Sequence, residues 1–451
     1  MKNKYDYFVI GSGPAGYASA VKASRLGLKT AIVERYPHLP GGVCLNEGCI
    51  PAKSLYNSAK IYDAVRNNAG LCGLGTFRGR ANMSAFVEKS RAAVSQLHKG
   101  LLFLFKKNGI DFIGGTARFV NDRTVRVCGP EGKSVEIKAE KILIATGSIP
   151  KSLPFAPFDS ERVISSSDAI RLSKVPEEML IVGGGSIGVE FASFFNTIGT
   201  KVSVVEAKDS ILPEFDREIS GYLEAALKKK GININTSGSI EEKNIAEENG
   251  PVLVCIGRNP ATSELGIEEA GIETDSGGFI PVNAAMRTSV RNIYAAGDVV
   301  NTPMLAHLAS AEGETAAADV AGGVPEPIDY TSVPHAVYGS IQAASVGMSE
   351  EKLKEKGVQF TVGKSFFKAN GRAVSCGETE GLVKVLADKK TGKLLGVHIV
   401  GHEASELINE FVVAKRAGLS AEDVGKAVHA HPTFAELARD ACRAIPRRER
   451  G

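Results

Sequence analysis

"YFVIGSGPAG", residues 7–16, runs an apolar strand straight into three glycines at Gly11, Gly13 and Gly16. A helix-like stretch follows to Gly27, and a second apolar run, "TAIVE", ends at Glu34. Strand, tight turn, helix and strand in that order form half of a dinucleotide-binding unit, and each glycine has its own reason to be there. The first permits the turn, the second lets backbone approach a pyrophosphate, and the third lets helix pack on strand. Unpaired N–H groups at the helix start hold the phosphates, and the acid ending the second strand accepts hydrogen bonds from a ribose diol. A single loop of this kind is weak evidence, because glycine turns without a ligand are common.

The pattern recurs. Adding 172 to each position gives Gly183, Gly185 and Gly188 after "MLIV", then Gly199, then "KVSVVE" ending at Glu206. In both copies the acid stands 18 residues after the third glycine. Two such units on one chain predict two Rossmann-like dinucleotide sites and a relay of electrons between two cofactors. No arginine replaces Glu206, and a carboxylate there would repel a 2′-phosphate, so the second site favours NAD over NADP.

The rest of the composition fits this reading. A chain of 451 residues is long enough for about three domains. Its 43% apolar and 23% charged residues are ordinary for a soluble globular protein, and a net charge of +3 carries no polyanion-binding signal. The basic end, "IPRRERG", reads as a solvated tail rather than a nucleic-acid arm. No apolar run is long enough to span a bilayer, and the N-terminal apolar run stops too soon in glycines for a signal peptide. Seven cysteines, an odd and low count, point to a reducing cytoplasm. The expectation is a cytoplasmic protein with no nucleic-acid or membrane partner.

Three further glycine signals read as buried strands ending in tight turns: "KILIATGS" (141–148), "VLVCIGRNP" (252–260) and "NIYAAGDVV" (292–300). In the last, Asp298 at a buried strand end can accept a hydrogen bond from a polyol chain.

"GGVCLNEGCIPAK", residues 41–53, places Cys44 and Cys49 five positions apart. A helix opening at Pro51 would leave Cys49 just before a helix N-terminus, where the dipole and free N–H groups favour a thiolate. A structural link closing so short a loop would add only about 2 kcal/mol. Zinc would need two more ligands at matching spacing, and no C-x-x-C is present. A redox-active pair is thus favoured over zinc ligands or inert thiols. The other cysteines (Cys72, Cys128, Cys255, Cys376, Cys442) read as buried small hydrophobes. Near the C-terminus, "HAHPTFAE" (429–436) sets His431 five residues before Glu436, across a helix start. Such a carboxylate can orient an imidazole as an acid–base catalyst for thiol chemistry.

Together these stretches resemble the flavoprotein disulfide reductases, and the resemblance runs the full chain. It rests on Gly11, Gly13, Gly16 and Glu34, on "GGVCLNEGCIPAK", on Ala145, Thr146 and Gly147 in "ATGS", and on Gly183, Gly185, Gly188 and Glu206. Gly257 in "IGRNP", Asp298 and Ala306 in "AAGDVV…PMLAH", and "HAHPTFAE" complete it. The resemblance implies FAD and NAD as cofactors, no metal, and Cys44 and Cys49 as a redox disulfide. Cys49 would form the charge-transfer thiolate against the flavin, and Cys44 would be the interchange thiol. It also implies that Lys53 pairs with Glu190 near the flavin N5 and that Asp298 holds the ribitol. His431, oriented by Glu436, would serve the disulfide of the other subunit of a homodimer. The implied activity is oxidation of protein-bound dihydrolipoamide to lipoamide, with electrons passing through the cysteine pair and FAD to NAD⁺. The implied partners are lipoyl-bearing proteins of a 2-oxo-acid dehydrogenase or glycine-cleavage complex. The alternatives are an NAD(P)H-dependent reductase of another disulfide, or a flavin-binding protein with an impaired NAD site.

The resemblance implies an α/β fold with two Rossmann-like dinucleotide-binding domains, for FAD and NAD, and a C-terminal α+β dimerisation domain. The expected boundaries are 1–150 and 263–330 for the FAD domain, 151–262 for NAD, and 331–451 for the interface domain. Three places depart from the family pattern. The stretch from Glu206 to Gly257 is short, as if a strand hairpin were missing. Ile341 and Gln342 stand where relatives usually show Pro and an acid, and Leu308 stands where a Lys is common.

Overall fold

The computed structural model describes residues 3–70, 72–129 and 132–446. All but the first two residues of the basic "IPRRERG" end lie outside the described residues. The chain forms an α/β protein with two Rossmann-like units and a C-terminal α+β unit.

The first glycine stretch ends strand Lys4–Ile10 and opens helix Pro14–Arg25. That strand lies between Thr30–Glu34 and the end of Ser134–Ile144, both parallel to it. Every residue of Thr30–Glu34 is buried, as expected for a parallel strand covered on both faces. Asp111–Gly114 extends one edge, and Ile293–Ala295 pairs with Ser134–Ile144 from far along the chain. An antiparallel arm, Thr116–Asn121 and Thr124–Cys128, completes seven strands. Helix Ala306–Val320 packs tightly on Pro14–Arg25, where a Cβ at Gly313 would stand 2.1 Å from the Ala15 carbonyl.

The second glycine stretch repeats the plan. Glu178–Val182 feeds helix Ser186–Thr197, and five parallel strands lie in the order 233–235, 201–205, 178–182, 252–254, 163–164. Between the strands Asn233–Asn235 and Val252–Val254 the described residues hold one short helix, Glu242–Glu247, and no hairpin. Its Ile245 covers the sheet with Leu153, Ala156 and Phe158. Arg162 fixes it by donating to the carbonyls of Ile245, Ala246 and Glu248, at 2.9, 2.5 and 3.0 Å.

A two-stranded ribbon, Ser148–Pro150 with Arg258–Pro260, ties the two units together. The C-terminal unit is a five-stranded antiparallel sheet carrying helices Ala404–Arg416 and Glu436–Arg443. "GLVKVLA" and "LLGVHIV" form its neighbouring strands Gly381–Asp388 and Leu394–Gly401. Helices Ala404–Arg416, Ala421–Lys426 and Glu436–Arg443 follow them, the middle one started by a capping box that Ser420 closes. Lys384 in this sheet is 2% exposed and reaches Asp216 (2.9 Å), Glu218 (3.1 Å) and Glu350 (2.7 Å). Asp216 also caps helix Arg217–Lys229 of the second unit, so a buried charge cluster joins it to the C-terminal sheet.

Candidate active site

The two glycine loops are built alike. Gly11 (φ +100°) and Gly183 (φ +111°) take the left-handed region, and a Cβ on either would lie 2.3–2.4 Å from a carbonyl oxygen, Ala145 or Cys255. At Gly16 and Gly188 a Cβ would stand 1.9 Å from the carbonyl of the first glycine, so helix and strand touch there. By contrast Gly185 has nothing within 4 Å of such an atom, and Gly13 has only Gly42, at 3.8 Å. Both helices start without a side-chain cap. Their first N–H groups are free for an anion, and the space beside the second glycine is open to one. Both loops therefore fit a pyrophosphate.

The acids sit where the repeat places them. Glu34 accepts from the Ser12 N–H (3.1 Å), the Ser12 hydroxyl (2.6 Å) and the Tyr36 N–H (3.1 Å). Glu206 accepts from Gly184 (2.6 Å) and Lys208 (2.7 Å) N–H groups, while the Lys208 ammonium lies 3.6 Å from Glu214. Each carboxylate thus closes its loop and keeps lone pairs for a diol.

Cys44 and Cys49 form a disulfide, with Cα atoms 4.7 Å apart. Cys44 lies in helix Gly42–Glu47, and helix Cys49–Asn68 begins at Cys49, two residues before Pro51. The expected start was late because Pro51 occupies the first turn, where its missing N–H costs nothing, while Ala52 N–H bonds back to the Gly48 carbonyl at 3.1 Å. Cys49 is accordingly the first helical residue, in the positive end of the dipole.

One turn on, Lys53 shares a face with Cys49. Its ammonium lies 3.1 and 2.9 Å from the Glu190 oxygens. Two tyrosines that sequence reasoning missed complete this pair. Tyr56 donates to Glu190 at 3.2 Å, and the Tyr338 N–H donates at 3.0 Å with its ring 4.4 Å from the Lys53 ammonium. Burial, then the Glu190 charge, push the Tyr56 phenol well above its ordinary pKa. Tyr338 comes from "VYGSIQAASVG", the departing segment. There Ile341 is buried in the core, and Gln342 Oε1 accepts from the Ser405 N–H (3.1 Å) and hydroxyl (3.0 Å) at the start of helix Ala404–Arg416. A neutral amide therefore does the capping that an acid would do at that position.

Asp298 accepts from the Ser148 hydroxyl. Arg258, a third residue that sequence reasoning missed, donates to both the side-chain oxygen and the carbonyl of the same Ser148, each at 2.6 Å. The Gly297 N–H beside Asp298 is held by buried Glu312 at 2.8 Å, and burial raises the Glu312 pKa. Gly147 turns with φ +74°, and the Thr146 hydroxyl and Gly147 carbonyl both bond Ala261. Gly257 takes φ +111°, and Ala306 opens the helix that packs on the first loop. Leu308 is buried in that helix.

His431 Nδ1 lies 3.2 and 3.1 Å from the Glu436 oxygens. Thr433 N–H, then His431, hold the Glu436 carboxyl below its ordinary pKa. With Nδ1 facing a carboxylate, that nitrogen carries a proton, and in the neutral ring Nε2 is the one with the lone pair. The imidazole side chain is 77% exposed and makes no hydrogen bond to the cysteine pair within its own chain. His429 instead bonds Glu410 at 2.8 Å.

The remaining cysteines correct one expectation. Cys442 is buried and Cys255 partly so, and burial pushes both thiols up to about 12. Cys72, Cys128 and Cys376 are exposed, because they fall in a turn, at the end of an arm strand and at a helix end rather than on a core face.

The family model described as pyridine nucleotide-disulphide oxidoreductase matches residues 5–313, and its dimerisation domain matches 333–442. A dihydrolipoyl dehydrogenase of Trypanosoma brucei brucei is 41% identical, covering 98% of this chain and 96% of that one. A mitochondrial dihydrolipoyl dehydrogenase of Pisum sativum is 40% identical, covering 97% and 91%. The HOCl-induced flavoprotein disulfide reductase RclA from Escherichia coli has a solved structure that matches with TM-score 0.86 at 28% identity, covering 97% and 99%.

Proposed function

The chain belongs to the pyridine nucleotide-disulphide oxidoreductase family, and from that premise we propose that it is a dihydrolipoyl dehydrogenase using FAD and NAD. The observation that carries this reading is the Cys44–Cys49 disulfide at the start of a helix whose next turn bears the Lys53–Glu190 pair. Relatives of that name match almost the whole chain.

In this reading the first loop, Glu34 and Asp298 hold FAD, the second loop and Glu206 hold NAD, and the Lys53–Glu190 pair lies where the two meet. Residues 1–150 and 263–330 carry the FAD site, 151–262 the NAD site, and 331–451 the contact of a homodimer. The exposed His431 then faces the disulfide of the partner subunit.

His431 Nε2 takes the proton from one thiol of a dihydrolipoyl group, and the thiolate attacks Cys44 Sγ. The Cys44–Cys49 bond breaks, and Cys49 leaves as a thiolate favoured by the helix dipole. The second substrate thiol then attacks the substrate sulfur of the mixed disulfide, its proton passing to the departing Cys44 sulfur. Cys44 is released, the product closes as a cyclic disulfide, and two electrons rest on the cysteine pair. Glu436 stabilises the imidazolium formed meanwhile. The chemistry that bound FAD and NAD supply is the two-electron relay from that dithiol to nicotinamide. The lipoyl group is presented by a carrier protein of a 2-oxo-acid dehydrogenase or glycine-cleavage complex, in the cytoplasm. Among the described residues no helix is long and apolar enough to cross a membrane.

The test is NADH formation by FAD-loaded protein given dihydrolipoamide and NAD⁺, beside a Cys44→Ser variant. Turnover in the wild type, lost by at least about a thousandfold in the variant, is the expected result. Flavin that stays oxidised under dihydrolipoamide would overturn the substrate assignment.

A further inference from the structure

Between the two cysteines, Asn46 holds the loop shut by a route that none of the cofactor residues explains. Its Nδ2 donates towards three carbonyls, Leu39 at 3.0 Å, Pro40 at 3.2 Å and Gly42 at 2.8 Å. An amide flipped end for end would set its oxygen against all three, so the orientation is chemically forced. Asn46 Oδ1 must then face outward from that nest, and what it faces is His98 Nε2, at 2.6 Å.

His98 comes from helix Met83–Lys107, 52 residues away in sequence and outside every motif that marks the fold. An amide oxygen only accepts, so the ring nitrogen must donate, which fixes the proton on Nε2. Burial, then the charge of nearby His38, lower the His98 pKa, which favours the neutral ring whose single N–H goes to Asn46.

We propose that His98 is a positioning residue for the redox disulfide: through Asn46 it holds the turn carrying Cys44 in register with Cys49, whether or not the two sulfurs are bonded. The inference rests on the reading of Cys44–Cys49 as the redox pair. Closing a disulfide is favoured by how often the open thiols meet, so a hook that keeps Cys44 beside Cys49 makes the pair harder to reduce. Removing the hook frees the turn only in the dithiol form, because the disulfide itself restrains it in the other.

The measurement is the dithiol–disulfide equilibrium of Cys44 and Cys49 in the FAD-loaded protein. The protein is equilibrated in reduced and oxidised glutathione, quenched in acid, alkylated and quantified by peptide mass spectrometry. His98→Leu is expected to shift that equilibrium about three- to tenfold towards the dithiol, the size of one hydrogen bond. His98→Gln places a side-chain N–H where His98 Nε2 lies and restores the wild-type equilibrium. His98→Asn places its N–H where Nδ1 lies and does not. A Leu variant indistinguishable from wild type would overturn the proposal, as would rescue by Asn equal to rescue by Gln. If the wild-type pair resisted reduction at every glutathione ratio, the redox reading would fall and the inference with it. Absence of lipoamide turnover with a normally reducible pair would touch only the substrate. Retained flavin and an unchanged thermal midpoint in the Leu variant separate positioning from a general loss of structure.

Discussion

The loops at Gly11–Gly16 and Gly183–Gly188 share their internal contacts down to the 1.9 Å approach at the third glycine, yet they differ one residue after the first. Ser12 stands in one copy and Gly184 in the other. The Ser12 hydroxyl donates to Glu34 and accepts from the Gly41 N–H at 3.0 Å, and Gly41 precedes the helix that carries Cys44. At Gly184 a Cβ would stand 3.0 Å from the Glu206 side chain, so a serine there would press on the acid itself. The first loop is wired to the disulfide turn, and the second is tied within its own unit, where the Leu212 N–H donates to the Gly184 carbonyl at 2.9 Å. Their sheets differ too: an antiparallel arm builds out the first core, while one short helix under Arg162 covers the second. A repeated motif therefore reports the shared binding plan, and the residues between its fixed points report what each copy is connected to.

Valine at the third glycine should give the largest effect. Gly16→Val and Gly188→Val each drive a side chain into a backbone carbonyl, at a cost well over about 3 kcal/mol. The first is expected to lose bound flavin, read by absorbance per chain. The second is expected to keep flavin and lose NAD binding. Identical behaviour of the two would break the assignment of one nucleotide to each half.

Ile245→Ala should follow, costing about 2–4 kcal/mol in the second unit alone. Hydrogen exchange should quicken in strands Glu178–Val182 and Val252–Val254 and stay unchanged in Lys4–Ile10. Equal quickening in both sheets would show that the short helix is not the cover of the second core.

Both oxygens of Glu206 face N–H donors, so Glu206→Gln must set an NH₂ against one of them, at about 1–3 kcal/mol. NAD affinity should fall about tenfold or more, with flavin content unchanged. Ser12→Gly, which copies the second loop into the first, should cost about 1 kcal/mol. It should also speed alkylation of Cys44 in the reduced protein, and unchanged alkylation would cut the proposed wire.

The charge cluster between the second unit and the C-terminal sheet stabilises the fold at neutral pH and is lost in acid. Burial raises Asp216, but His398 and Lys384 more than reverse that and leave it below its ordinary 3.8. A carboxyl depressed in the folded state lends stability above its unfolded pKa and loses it as pH falls through the folded one. Thermal midpoints should hold from neutral pH to about pH 4 and drop below it, and Asp216→Asn should flatten that drop.

Much of this was legible in the sequence, for a physical reason. Strand-turn-helix units are local, so Gly11, Gly183, Glu34 and Glu206 announce themselves by spacing. The cysteine pair and the His431–Glu436 pair span five residues each and are local in the same sense. Tyr56, Tyr338, Arg258 and His98 are not. Tyr338 reaches Glu190 across 148 residues, and Arg258 reaches Ser148 across 110. No periodicity marks such encounters, because tertiary packing alone brings them about. Helix Cys49–Asn68 starts two residues before the position its sequence suggests for the opposite reason: proline signals a first turn without saying which residue of it.

The exposed imidazole of His431 has a consequence in the law of mass action. Under the cross-subunit reading, a folded chain with its cofactors in place carries two half-sites and no whole one. Specific activity would then depend on protein concentration, constant where chains are paired and falling in proportion to concentration once dilution separates them. The smallest unit of catalysis would be an encounter between two chains, held for as long as their interface lasts.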